Sequence, residues 1–70
     1  MANYLVNLGI SIRKRREILH LSQESLAERC GFDRTYISML ERGKRNLSLL
    51  NLIKLAKGLN ITVSELTKGL

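Results

Sequence analysis

Leu5, Leu8 and Ile12 recur at three- and four-residue steps, the period of a helix with one buried stripe, and predict a first helix from Tyr4 to about Leu19. Ser22 is a good N-cap for the next segment. There Leu26 and Ala27 supply an inward face up to Cys30, and Gly31 can take the left-handed conformation that ends a helix. Asp33 can cap a third helix of about Arg34 to Arg42, which Gly43 closes before the polar connection Gly43-Lys44-Arg45-Asn46. Ser48 then caps the most apolar stretch, where Leu49, Leu52, Ile53, Leu55 and Ala56 make a fourth, core helix terminated by Gly58. Thr62-Val63-Ser64-Glu65 has the form of a capping box, in which Thr62 and Glu65 satisfy each other's backbone N–H groups, and opens a fifth helix to about Lys68. With no strand-like alternation, repeat or low-complexity tract, the fold class is all-α, one compact five-helix domain over residues 1–70.

The second and third helices are joined by Gly31 and Phe32, a spacing that forces a sharp bend between two short amphipathic helices and predicts a helix-turn-helix over about residues 23–42. Ala27 is small where the helices cross, and Ile37 and Leu40 point back into the core. The opposite face of the third helix is left to Arg34, Thr35 and Ser38, whose donors, acceptors and methyl group suit the edges of bases in a major groove. Tyr36 falls between the two faces, its ring placed to pack on the second helix and its hydroxyl able to reach a phosphate or a base. Gln23 at a helix start, then Arg42, Lys44, Arg45 and Asn46, are expected at phosphates, where amide dipoles and cations favour anions.

Charge sharpens this expectation. Twelve Lys and Arg against six Asp and Glu leave a formal charge of +6, which attracts any polyanion. Double-stranded DNA and anionic lipid both qualify. A cationic helix over residues 5–19 lying on a membrane is the weaker of the two, because that helix is expected to spend its apolar face on the core. The start MANYLVNLGISI lacks a leading basic segment and a small-residue cleavage site, and no apolar run approaches a membrane span, so a cytoplasmic protein with no membrane partner is expected. Cys30 is the single cysteine and His20 the single histidine, so no disulfide, metal site or cofactor is expected. There is no phosphate-cradling glycine loop, and Glu28, four residues from Glu24, reads as a solvated charge rather than a general base; neither an enzyme nor a small-molecule ligand is expected.

The stretch LSQESLAERCGFDRTYISMLERGKRNLSLLNLIKLAKGLNITVSEL resembles the DNA-binding domain of the phage-repressor (XRE-type) helix-turn-helix family, and the resemblance covers nearly the whole chain. More narrowly, DRTYIS followed by ER and RN, in a length with no room for an effector domain, is similar to the controller proteins of restriction-modification systems. The resemblance implies a lambda-repressor-like fold. It also implies a homodimer on a two-fold related operator, acting at its own gene and a restriction endonuclease gene of a bacterium or phage, on nucleoid DNA. Residues matching Arg34, Thr35, Tyr36, Ser38, Arg45 and Asn46 would lie at or near the DNA, and Arg16 would pair with Glu41. His20 stands at a turn position where this family commonly has glycine.

A phage repressor or an antitoxin-like DNA-binding protein is the alternative within the same class. For a dimer surface, Leu59, Ile61, Val63 and Leu66, on the fifth helix and the end of the fourth, exceed what so small a core can bury; some of them must belong to the core, and the set places a dimerisation region over about residues 57–70. Of the run Arg13-Lys14-Arg15-Arg16, four consecutive helical residues fan around the axis and cannot all face one ligand, so Lys14 is expected in solvent.

Overall fold

Asn3, Ser22, Asp33, Ser48 and Thr62 each accept a hydrogen bond from a backbone N–H two or three residues ahead, and a helix starts after every one of them. Each cap satisfies an N–H that the helix leaves unpaired, a contribution of about 1 kcal/mol. The computed structural model describes residues 3–70, with α1 (Tyr4–Ile18), α2 (Gln23–Cys30), α3 (Arg34–Glu41), α4 (Leu49–Gly58) and α5 (Val63–Leu66) in that order. Among the described residues there is no strand. The expected all-α, five-helix architecture is the one observed, with α5 shorter than the sequence suggests. Beyond Leu66 the backbone tightens into a three-residue turn, the Lys68 N–H donating to the Glu65 carbonyl at 3.4 Å, and Gly69 turns left-handed, so the helix ends early. At the start of α5, Thr62 Oγ1 accepts from the Glu65 N–H, while the Glu65 carboxylate accepts from the Thr62 hydroxyl rather than from its backbone.

The first four helices end alike. His20, Gly31, Gly43 and Asn60 are left-handed, and in each case the next residue's N–H reaches back five positions, as Phe32 does to the Ala27 carbonyl at 2.8 Å. Gly58, expected to terminate the fourth helix, is instead its last helical residue, and Asn60 makes the left-handed stop. Glycine is needed at 58 for closeness: a Cβ there would sit 2.3 Å from Cys30 Sγ, where α4 lies against α2. Gly31 is the purer conformational case, since a Cβ there would meet nothing within 4 Å and only its φ of 74° disfavours a side chain. Gly31→Ala is therefore expected to cost about 1 kcal/mol, a drop in thermal midpoint of about 4–8 °C for a domain of this size. An unchanged midpoint in a melting curve would contradict this reading of the turn.

Ile12, Leu26, Ile37, Leu55, Leu59 and Leu66 are the large side chains fully withdrawn from solvent, so every helix contributes to one core or, for Leu59, to the turn that follows α4. Two expectations fail here. The fourth helix is a core helix only in its second half: Leu49 is 70 % and Ile53 37 % exposed, while Leu55 and Ala56 are buried. Leu59 and Leu66, expected at a dimer surface, are 0 % and 1 % exposed and belong to the interior; Ile61 and Val63 are half-buried against it. The physical reason is size. A four-residue α5 closes the core only by inserting Leu66, and Leu59, one turn beyond Leu55, follows the same inward stripe. In α1, Leu8 and Ile12 are buried as expected, but Val6, Ile10 and Ile18 remain at the surface.

Candidate nucleic-acid interface

Between α2 and α3 the chain has only Gly31, Phe32 and Asp33 in which to turn. Gly31 ends one helix and Asp33 caps the next, its carboxylate accepting from the Thr35 N–H at 3.0 Å, so the bend is set by local chemistry. Packing then fixes which face of α3 turns outward. Ile37 and Leu40 are buried, which leaves Arg34 and Thr35 exposed and Ser38 and Met39 half-exposed on the other side. Arg34 and Ser38 lie one turn apart on that outer face. Among the described residues the Arg34 guanidinium has no hydrogen-bond or ion-pair partner within the protein.

A second set of contacts clamps this unit to α1. Arg16 Nε donates to Glu41 Oε2 at 2.6 Å and Arg16 Nη2 to Glu41 Oε1 at 3.0 Å, a two-pronged ion pair between α1 and the end of α3. Arg16 Nη1 also donates to the Leu21 carbonyl at 2.8 Å, and Gln23 Nε2 donates to Glu41 Oε1 at 3.1 Å. One carboxylate thus joins α1, α2 and α3. Its side chain is 4 % exposed and that of Arg16 13 %. The hydrogen bond to Glu41 holds the Arg16 guanidinium charged, raising its pKa further against the opposing effect of burial. Gln23, expected at a phosphate, has its amide nitrogen turned to this carboxylate.

After α3 the chain is basic and open. Arg42, Lys44, Arg45 and Asn46 are all exposed; Arg42 Nε donates to the Ser38 carbonyl at 3.3 Å, and Asn46 Oδ1 accepts from the Leu47 N–H at 2.9 Å. Tyr36 is half-buried, and its ring packs edge-on against Phe32 in the turn, with centroids 5.0 Å apart at 78°, rather than resting on the second helix alone. Its hydroxyl accepts from Asn51 Nδ2 at 3.2 Å, and the Arg45 guanidinium carbon lies 5.3 Å from the ring centre.

Other groups fall away from this face. Arg13 and Glu17 form an exposed i,i+4 pair at 3.5 Å, and Lys14 is exposed. Arg15, to which the sequence assigned nothing, donates from Nε to the Leu59 carbonyl at 2.9 Å and from Nη2 to the Asn60 carbonyl at 3.2 Å. It caps the end of α4 from 44 positions away, which no local pattern signals. Burial pushes the Cys30 thiol pKa up, so it stays protonated and packs as a small apolar group. Among the described residues there is no group of His, Cys, Asp and Glu that could hold a metal, and no helix is long and apolar enough to cross a membrane.

Comparison with known proteins gives a consistent picture. A helix-turn-helix family model matches residues 12–66. Over 67 residues the chain is 49 % identical to the control protein C.MunI of a Mycoplasma species, covering 94 % of this chain and 90 % of that one. It is 51 % identical over 59 residues to the control protein C.SmaI of Serratia marcescens, covering 84 % and 70 % respectively. The crystal structure of the restriction-modification controller protein C.AhdI from Aeromonas hydrophila matches with a TM-score of 0.86 at 48 % identity, covering 89 % of this chain and 94 % of that one.

Proposed function

Because this chain belongs to the XRE-type helix-turn-helix family, as a DNA-binding transcriptional regulator of the restriction-modification controller type, we propose that it works as a homodimer on a two-fold related operator. In this reading α3 enters the major groove. Arg34, Thr35, Tyr36 and Ser38 meet base edges, and Arg42, Lys44, Arg45 and Asn46, together with the start of α2 at Gln23, meet phosphates. The observation that carries it is the split face of α3: Arg34, without a partner among the described residues, outside with Thr35 and Ser38, and Ile37 and Leu40 locked inside. The genes regulated are its own and that of a restriction endonuclease, on cytoplasmic, nucleoid DNA. A reporter joined to the DNA upstream of its own reading frame tests this. Expression should change when the protein is supplied and stay fixed with an Arg34→Ala variant; no response to the wild-type protein would overturn it.

With Leu59 and Leu66 in the core, the dimer surface is proposed at the exposed start of α4, where Leu49, Leu50 and Ile53 face solvent, with Ile61 and Val63 remaining from the region 57–70. The salt dependence of binding reports both the phosphate contacts and the stoichiometry. Each phosphate neutralised contributes about −0.9 to the slope of log K against log salt on B-DNA. Lys44→Ala should therefore flatten the slope by about 1.8 if two protomers bind and by about 0.9 if one does. An unchanged slope would remove Lys44 from the phosphate contacts.

A further inference from the structure

Asn51 lies in the first turn of α4, outside the core and outside the expected DNA contacts, yet it is held at both its backbone and its side chain. Its N–H donates to the Ser48 cap at 3.1 Å, and its amide nitrogen donates to the Tyr36 hydroxyl at 3.2 Å. Tyr36 in turn is fixed on three sides, by Asn51 at the hydroxyl, by the Phe32 ring at its edge, and by the Arg45 guanidinium at 5.3 Å over its face. The contacts form one line from the start of α4, through α3, to the connection between them.

We propose that Asn51 is a positioning residue for DNA binding, holding Tyr36 so that its ring keeps the Arg45 guanidinium placed for a phosphate. This role presupposes that α3 and the connection after it meet DNA. A free arginine side chain samples many rotamers, and binding an anion with it means ordering them all. A guanidinium already stacked on an aromatic face has lost much of that freedom, and its planar edge still presents donors outward. The stack is only as fixed as the ring. Without Asn51, Tyr36 keeps its contact with Phe32 but loses the one hydrogen bond that anchors its far end. The same bond gives the phenol a sense: accepting from Asn51, it retains its own O–H proton to donate outward.

A bond that merely ties α4 to α3 would act on stability and leave no particular dependence on Arg45. A double-mutant cycle separates the two roles. Asn51→Ala, Arg45→Ala and the double variant are titrated against a duplex selected by the wild-type protein, with thermal midpoints recorded in parallel. Asn51→Leu is carried alongside, as a variant of similar volume that lacks the donor and suits a half-buried helical site. Either Asn51 variant should weaken binding about three- to tenfold for each protomer, the span of one exposed cation–π contact or neutral hydrogen bond, and so roughly 10- to 100-fold for a homodimer on one duplex. In the Arg45→Ala background the same changes should cost less than about twofold. A loss of equal size with and without Arg45, or no loss in either variant, overturns the proposal. If the wild-type protein itself fails to distinguish the selected duplex from a scrambled one, the DNA-reading surface falls and the Asn51 role with it.

Discussion

Replacing Arg34 with alanine is expected to cut sequence preference sharply while leaving the fold untouched. The guanidinium is exposed and has no partner among the described residues, so its loss opens no cavity and strands no buried group. Thermal midpoints of Arg34→Ala and the parent should agree. On DNA the position is different, because an arginine fork against guanine O6 and N7 contributes about 1–3 kcal/mol of discrimination. A homodimer uses it twice, so the loss on a specific duplex should approach about 2–6 kcal/mol, or roughly 30-fold and upward. On a scrambled duplex only a diffuse cation disappears and the change should be several-fold at most. Arg34→Lys sharpens the test: it keeps the charge but not the planar pair of donors, so it should retain non-specific affinity and still lose discrimination. Equal losses on specific and scrambled duplexes would reassign Arg34 to the phosphates.

The second large effect concerns stability. Glu41→Ala should destabilise the domain by about 3–5 kcal/mol, because it leaves the Arg16 guanidinium largely buried without its counter-charge. The Gln23 amide loses its acceptor in the same step. For a domain of this size that is a large share of a total of about 5–15 kcal/mol, and the melting midpoint should fall by about 15 °C or more. Replacing both partners, as Arg16→Met with Glu41→Leu, removes the unpaired charge and should recover much of the loss, since apolar pairs often match buried ion pairs in stability. Denaturant titration of the three proteins decides the matter. A single-variant loss below about 1 kcal/mol would place the pair among ordinary surface salt bridges.

What the sequence disclosed was local chemistry, and what it withheld was tertiary choice. Ser22, Asp33, Ser48 and Thr62 are legible because a cap is decided within four residues, and Gly31 because a left-handed helix end is. The split of α3 into Ile37 and Leu40 against Arg34, Thr35 and Ser38 follows from helical period alone. Helix four defeats the same reasoning. Leu49, Leu52, Ile53, Leu55 and Leu59 are alike in the sequence, and only the packing of α2 and α5 decides that Leu55 and Leu59 are interior while Leu49 is bare. Gly58 looks like a helix stop, and only the neighbouring Cys30 gives its actual reason. Gly9 carried no signal at all, yet a Cβ there would meet the Glu41 and Leu40 carbonyls at 2.5 and 2.6 Å, so it sets how closely α1 crosses α3. Arg15 and Asn51 were missed for a related reason: the groups they bond lie outside their own helices, at separations of 44 and 15 residues.

The central claim is that the outer face of α3 reads base sequence from a paired arrangement. Sequencing the duplexes that the purified protein selects from a random pool tests it most directly. Two inverted half-sites should emerge with centres about 10–10.5 base pairs apart, one turn of DNA, and the motif should collapse when Arg34, Thr35 and Ser38 are replaced together. A pool that shows no enrichment, or the same motif selected by that triple variant, would contradict it.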